Sequence, residues 1–212
     1  MRLKNKAFLK INEKFIIQNV IERLLLSKSI KKIILATSTK PSDRRFRQFC
    51  NNKNILYFRG PLNNVYLRYC QIIKKYKLKY FLRISGDSPL IDFRIIDKAF
   101  KIFKRKKNFQ IVTNTFNRSF PKGQSVEIIK SEIILKNSVS ILKNKIYKEH
   151  ITKFFYDNYK EYKIYNFKNK FNVSKINLSV DTANDLRKIK KISNNLNKDF
   201  KWQTIYRRYI TL

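Results

Sequence analysis

Two aspartates stand where an α/β sheet would deliver them to a ligand. Asp87 follows the apolar run Lys79-Tyr80-Phe81-Leu82-Arg83-Ile84-Ser85 through Gly86, and Asp181 follows Lys175-Ile176-Asn177-Leu178-Ser179-Val180. Both runs read as core strands, and open α/β sheets gather ligands outside the carboxyl ends of their strands. Two carboxylates converging from neighbouring strand ends would make a hard-oxygen site suited to Mg²⁺ carrying substrate phosphates. Gly86 lets the backbone turn sharply and approach a ligand with no Cβ in the way. Each aspartate also has an ordinary structural reading, because an Asp after a strand is commonly an N-cap or a turn former. Thr182 and Asp185 have capping-box spacing, and Ser88-Pro89 marks a turn. Spacing alone does not choose between these readings.

The elements that would position the pair alternate apolar strands with amphipathic helices, the pattern of an α/β fold with a mostly parallel sheet. Strands are expected at 32–37, 55–58, 79–85, 109–114, 125–129, 162–167 and 175–180. Helices are expected at 15–27, 62–76, 93–106, 131–142, 147–158, 183–195 and 202–210, with another from Pro41 to about 51 capped by Ser42-Asp43. No linker, repeat or low-complexity block divides 1–212, which therefore reads as one domain. Between about 115 and 171 the alternation is less regular.

The chain of 212 residues carries 49 Lys and Arg against 14 Asp and Glu, a formal charge of +35. Such a balance attracts anions and makes a nucleic-acid-binding protein the main alternative. The basic residues are spread along the chain rather than gathered into an arm. No RNP, KH, zinc or helix-turn-helix signature accompanies them, and the aromatics sit in apolar strand and helix faces. Nucleic acid is therefore not the expected partner. No apolar run is long enough to span a bilayer, and the basic N-terminus lacks the apolar core of a signal peptide. Cys50 and Cys70 are the only cysteines, without metal spacing, and read as reduced thiols of a cytoplasmic protein.

The segment Arg83-Ile84-Ser85-Gly86-Asp87-Ser88-Pro89-Leu90-Ile91-Asp92 resembles the R-x-[ST]-G-D-x-P-[LF]-[IV]-D signature of the spore-coat-polysaccharide cytidylyltransferases, relatives of CMP-KDO and CMP-sialic acid synthetases. Other stretches agree in order. Val20-Ile21-Glu22-Arg23-Leu24 is similar to the first helix, and Ile33-Ile34-Leu35-Ala36-Thr37-Ser38 to the strand that follows it. Arg59-Gly60 with Val65-Tyr66-Leu67-Arg68-Tyr69 is similar to R-G-(x)₄-V-L-x-R-[YF], and 178–186 to L-[TS]-V-D-T-x-x-D-L. Gly123-Gln124-Ser125-Val126-Glu127 and Glu149-His150-Ile151-Thr152 match less specifically.

The resemblance implies a Rossmann-like three-layer nucleotidyltransferase fold and transfer of CMP from CTP to an anionic sugar, with release of pyrophosphate. It implies Asp87 and Asp181 as Mg²⁺ ligands; Ala36, Thr37, Ser38, Arg68, Ser85 and Gly86 near the nucleotide; and Gln124, Glu127, Glu149 and His150 toward the acceptor. Arg83 reads equally as a core ion pair or a ligand contact, and His150, the only histidine, equally as a helix-start or packing residue. The resemblance also implies a homodimer, for which 115–171 with Phe154-Phe155-Tyr156 is the expected interface, though the apolar residues there read equally as core. At the N-terminus the match thins. Members of this family begin with a strand and a basic phosphate loop, whereas Met1-Arg2-Leu3-Lys4-Asn5-Lys6-Ala7 aligns with the end of that loop only. Arg2 and Lys6 stand where its Arg and Lys would be. The first strand is therefore expected to be absent, leaving an unpaired sheet edge, either because translation starts upstream or because the chain is an inactive relative.

Overall fold

The computed structural model describes residues 3, 5–51 and 55–212. A hairpin of β1 (Lys10–Ile11) and β2 (Lys14–Phe15) leads into α1 (Ile16–Leu25). Then β3 (Ile34–Ser38), α2 (Arg45–Asn51), β4 (Leu56–Gly60), α3 (Val65–Tyr76), β5 (Tyr80–Arg83), α4 (Phe93–Arg105) and β6 (Ile111–Thr113) alternate. β7 (Glu127–Lys130) is followed by the short helices α5 (Ser131–Lys136), α6 (Ser138–Leu142), α7 (Lys145–Glu149) and α8 (Lys153–Asp157). β8 (Ile164–Asn166), α9 (Ala183–Ser193) and α10 (Trp202–Ile210) come last.

The α/β class holds, but the sheet is mixed rather than mostly parallel. In the order β5-β7-β6-β8, β7 runs antiparallel to both neighbours while β6 and β8 are parallel. No helix intervenes between β6 and β7, so the chain returns beside the strand it left instead of crossing over. Among the described residues β3 pairs only with β4, and β5 only with β7, so each has an edge with no strand against it. The unpaired edge expected from the sequence is thus present, and the sheet is split in two. Helix α1 holds the two parts together. Its Val20 and Leu24 join the core over β6 and β7, while Ile17 and Ile21 pack with Leu35 and Ile55 beside β3 and β4.

Period-two alternation builds the layers. Val112 and Ile128 face α1, α4 and α10, and Ile111 and Ile129 face α3, α5 and α8. Two expected long helices are each broken in two. Asn137 donates its side-chain amide to the Ile133 carbonyl at 2.7 Å and ends α5, and Asn144 caps α7 through the Ile146 amide at 2.8 Å. Phe154 and Phe155, expected at a dimer interface, lie in the core against Tyr66 and Ile129, at 8 % and 0 % exposure. Cys50 and Cys70 are free and buried. Among the described residues no helix is long and apolar enough to cross a membrane.

The expected strand 175–180 does not join a ladder: a turn takes 174–175, and Asn177 makes an isolated parallel bridge with Lys122. It is held by single bonds instead: the Lys122 amide to the Ile176 carbonyl and the Leu178 amide to the Lys122 carbonyl, each 2.9 Å. This close approach requires Gly123, whose φ is +88° and whose Cβ position lies 2.7 Å from the Leu178 carbonyl. Any side chain there would push away the segment that carries Asp181.

Candidate active site

Asp87 and Asp181 meet, and a lysine lies between them. Lys6 Nζ donates to Asp87 Oδ2 at 2.8 Å and to Asp181 Oδ1 at 2.7 Å. Backbone bonds fix the approach. The Val180 amide donates to the Asp87 carbonyl, and the Leu3 amide to the Asp181 carbonyl, both at 2.9 Å. The capping role that a sequence reading could give Asp181 falls to its neighbours. Thr182 and Asp185 form a complete capping box at the start of α9, leaving the Asp181 carboxylate free to face the cation. Burial opposes the charge on Lys6, but the hydrogen bonds it donates to Asp181 and Asp87, with their negative charges, outweigh it and hold the ammonium above its ordinary pKa. Arg2, the other basic residue expected here, lies outside the described residues.

Gly86 is not there for the turn. Its φ is not left-handed, and a Cβ would touch only Ile17 Cδ1 at 3.5 Å, an ordinary contact. Ser85 adjoins it, half-buried in the same turn. At the end of β3, Ala36 is half-buried and pairs with Phe58, while Thr37 and Ser38 are buried. Both hydroxyls donate to Asp43 Oδ2 at 2.6 Å, as does the Ser38 amide at 3.0 Å. Asp43 is thus not the helix cap that the sequence suggests: it ties the strand end to a 3₁₀ turn at Pro41–Arg44. Burial alone would raise its carboxyl pKa; the Ser38 and Thr37 donors and the charge of Arg68 hold it below the carboxylate range. Arg68 donates one guanidinium nitrogen to the Pro61 carbonyl at 2.7 Å, while its Nε is buried without a partner among the described residues.

The residues expected on the acceptor side divide. Gln124 is fully buried and structural, accepting from the Asp92 amide at 2.9 Å and donating to the Leu90 carbonyl at 2.6 Å. It thereby joins the β6–β7 connection to the turn after Asp87. Glu127 is 2 % exposed. It pairs with Arg83 and accepts from the Tyr156 hydroxyl at 2.6 Å and from Thr115 Oγ1 at 3.2 Å. Glu149 and His150 are exposed at the end of α7, which packs against α3, α6 and α8, and among the described residues neither side chain has a hydrogen-bond partner. The structure does not bring them to the aspartates. Asp92, the last residue of the signature, is structural: it caps α4 through the Arg94 amide and accepts from the Trp202 amide at 2.9 Å.

One residue that the motif reading passes over belongs to this region. Arg118, half-buried beside Glu127 and Tyr156, makes a single hydrogen bond among the described residues, to Ser125 Oγ at 3.0 Å, and no ion pair. The only signal for it is its position five residues before the Gly123-Gln124 match, in Asn117-Arg118-Ser119-Phe120-Pro121.

Carboxylates from two chain segments thus converge on one cation beside an α/β sheet, and solved structures share this fold. A cytidylyltransferase from Leptospira borgpetersenii superposes with a TM-score of 0.93 at 28 % identity, covering 100 % of this chain and 89 % of that one. A CMP:2-keto-3-deoxy-manno-octonic acid synthetase complexed with CTP shares the fold, with a TM-score of 0.67 at 16 % identity over 89 % and 91 % of the chains. An uncharacterized protein of Methanocaldococcus jannaschii is 31 % identical over 188 residues, 88 % of this chain and 75 % of its own. The spore coat polysaccharide biosynthesis protein SpsF of Bacillus subtilis is 22 % identical over 181 residues, 84 % and 73 % of the two chains. The cytidylyltransferase family model matches residues 1–206, and the chain belongs to that family.

Proposed function

We propose that this chain transfers CMP from CTP to a hydroxyl of an anionic, acylneuraminate- or KDO-like sugar in the cytoplasm, for surface polysaccharide synthesis. The observation that carries the reading is the convergence of Asp87 and Asp181 on one cation at 2.8 and 2.7 Å. The CTP-bound synthetase and SpsF supply the nucleotide and the pathway class by similarity.

The two carboxylates fit Mg²⁺. Among the described residues no cluster of three or more His, Cys, Asp or Glu could hold a metal alone. Mg²⁺ commonly takes just one or two carboxylates and completes its shell with water and substrate phosphates. Held by Asp87 and Asp181, it would neutralise charge on the α-phosphate and the pyrophosphate leaving group. The residues contribute positioning and charge. Lys6 presents an ammonium to the triphosphate, and Arg68 offers its unpartnered Nε beside the β3 end. The sugar hydroxyl oxygen forms the new bond to the α-phosphorus and gives up its proton to solvent, and the bond from that phosphorus to the pyrophosphate oxygen breaks. A thermal shift assay tests the reading. Saturation with CTP and Mg²⁺ to about 100 times Kd adds about 2.7 kcal/mol, a rise of roughly 5–10 °C for a chain this size. Equal shifts with ATP, GTP and UTP would mean that the +35 charge alone is responding.

Within this reading Arg118 receives the carboxylate of the acceptor, being a half-buried guanidinium with one neutral partner. A charge-assisted hydrogen bond of about 1.5–3 kcal/mol corresponds to roughly 10- to 100-fold in acceptor KM. Arg118→Met is expected to raise acceptor KM by that factor and leave CTP KM unchanged. Steady-state kinetics with each substrate varied in turn separates this from a general loss of fold, which would lower kcat for both.

A further inference from the structure

The ammonium of Lys6 occupies the point between Asp87 and Asp181 that a bridging cation needs. Its Nζ lies 2.8 Å from one carboxylate and 2.7 Å from the other. The side chain is 28 % exposed, against 21 % for Asp87 and 44 % for Asp181, so the cluster opens to solvent on the Asp181 side. Lys6 sits in the 3₁₀ turn Lys6–Phe8, preceded by Asn5 in the left-handed region, and the turn has no buried residue. Backbone bonds tie its segment down on both sides, the Leu3 amide to the Asp181 carbonyl and the Ile16 amide to the Leu9 carbonyl, each at 2.9 Å. The turn backbone is thus fixed while the long side chain of Lys6 reaches a part-exposed position, and the two aspartates are held to each other through the Val180–Asp87 backbone bond.

From this geometry we infer that Lys6 is a tethered counter-cation that keeps divalent metal out of the free enzyme and gives way when CTP arrives. The inference rests on the proposal that Asp87 and Asp181 hold metal with the nucleotide. Without nucleotide, a metal ion must displace an ammonium that already makes two charge-assisted hydrogen bonds. A triphosphate changes the balance. It offers Lys6 an alternative anion a short distance away and brings oxygen ligands that the metal needs in addition to two carboxylates. Metal and nucleotide then enter together, and the carboxylates are never left as an unpaired like-charge pair. A free enzyme so arranged does not sequester divalent cations in an unproductive complex.

Mn²⁺, followed by the paramagnetic resonance of the free ion, tests this without turnover. The proteins are wild type, Lys6→Met, Lys6→Gln and Asp87→Asn, each first checked for a cooperative thermal melt. The glutamine variant keeps a hydrogen-bond donor of similar reach in case the methionine variant folds poorly. Without nucleotide, both Lys6 variants are expected to bind Mn²⁺ at least about 10-fold more tightly than wild type, one such decade being about 1.4 kcal/mol. With saturating CTP and no acceptor, that gap is expected to close or reverse. Equal Mn²⁺ affinity in wild type and both Lys6 variants without CTP overturns the inference, as does a gap that CTP leaves unchanged. Asp87→Asn separates the two levels. If it binds Mn²⁺ with CTP as wild type does, the metal site itself is wrong. If it binds weakly while the Lys6 variants match wild type, only the role of Lys6 falls.

Discussion

Asp87→Asn and Asp181→Asn are each expected to lower kcat for CMP transfer by about three orders of magnitude, a barrier increase of about 4 kcal/mol. The amide is nearly isosteric with the carboxylate, so what is lost is charge rather than shape. Ser88 Oγ, 3.2 Å from Asp87 Oδ1, keeps an oxygen acceptor in the Asp87→Asn variant. The backbone bond from Val180 to the Asp87 carbonyl does not involve the side chain. At position 181 the case is cleaner still, because the helix cap belongs to Thr182 and Asp185 and is untouched by the change. Each variant weakens one of two bonds to a part-exposed Lys6, a cost of up to about 1 kcal/mol, so both should melt within about 4 °C of wild type. Pyrophosphate release measured beside thermal melts decides the matter. A parallel loss of activity and stability in both variants would make the pair structural, and full activity in either would remove that carboxylate from the site.

How much of this arrangement is legible in the sequence depends on whether a residue acts locally. The helices α1, α3, α4, α9 and α10 follow from periodicity, and α3, α4 and α9 also have side-chain caps written at their starts, as in Thr182-Ala183-Asn184-Asp185. The reversal of β7 is not legible, because its apolar pattern is the same in either direction and only the absence of a crossover helix before it hints at the turn. Segment 175–180 reads as a strand since Ile176, Leu178 and Val180 alternate inward, yet among the described residues it joins no ladder and its long-range backbone bonds go to Lys122 and Asp87. At the site, Asp87 and Asp181 are visible as carboxylates after apolar runs. That Lys6 sits between them is not, for it is 81 and 175 residues distant in the chain. Polar residues with long-range structural partners are the hardest to assign. Gln124 and Glu127 look like ligand-facing groups in a motif and prove to be buried and satisfied, while Asp43 looks like a cap and serves the strand behind it.

Arg83→Leu is expected to destabilise the protein by about 3 kcal/mol at neutral pH, a fall in Tm of roughly 6–12 °C for a chain of this size. The figure is taken from the low end of the range for breaking a buried pair, because the Arg83 side chain is 28 % exposed whereas Glu127 is 3 %. Burial pushes the Glu127 carboxyl upward, but the Arg83 guanidinium and the Tyr156 hydroxyl more than reverse this and hold it below the ordinary range. In wild type the group therefore contributes stability above its unfolded pKa of about 4.3. That contribution is lost as pH falls from there through the depressed folded value. Without Arg83 the dominant influence left is burial, which favours the neutral acid and makes Glu127 a source of stability that is lost as pH rises. The penalty of Arg83→Leu should accordingly shrink between pH 7 and pH 4, whereas a simple packing defect would cost the same at both. Adding Glu127→Gln tests the pair directly, since the amide oxygen still accepts from Tyr156 while the stranded charge is gone. Urea unfolding of the single and double variants should show the double recovering at least about 1 kcal/mol of the loss at pH 7, and no recovery would mean that Arg83 stabilises through something other than Glu127.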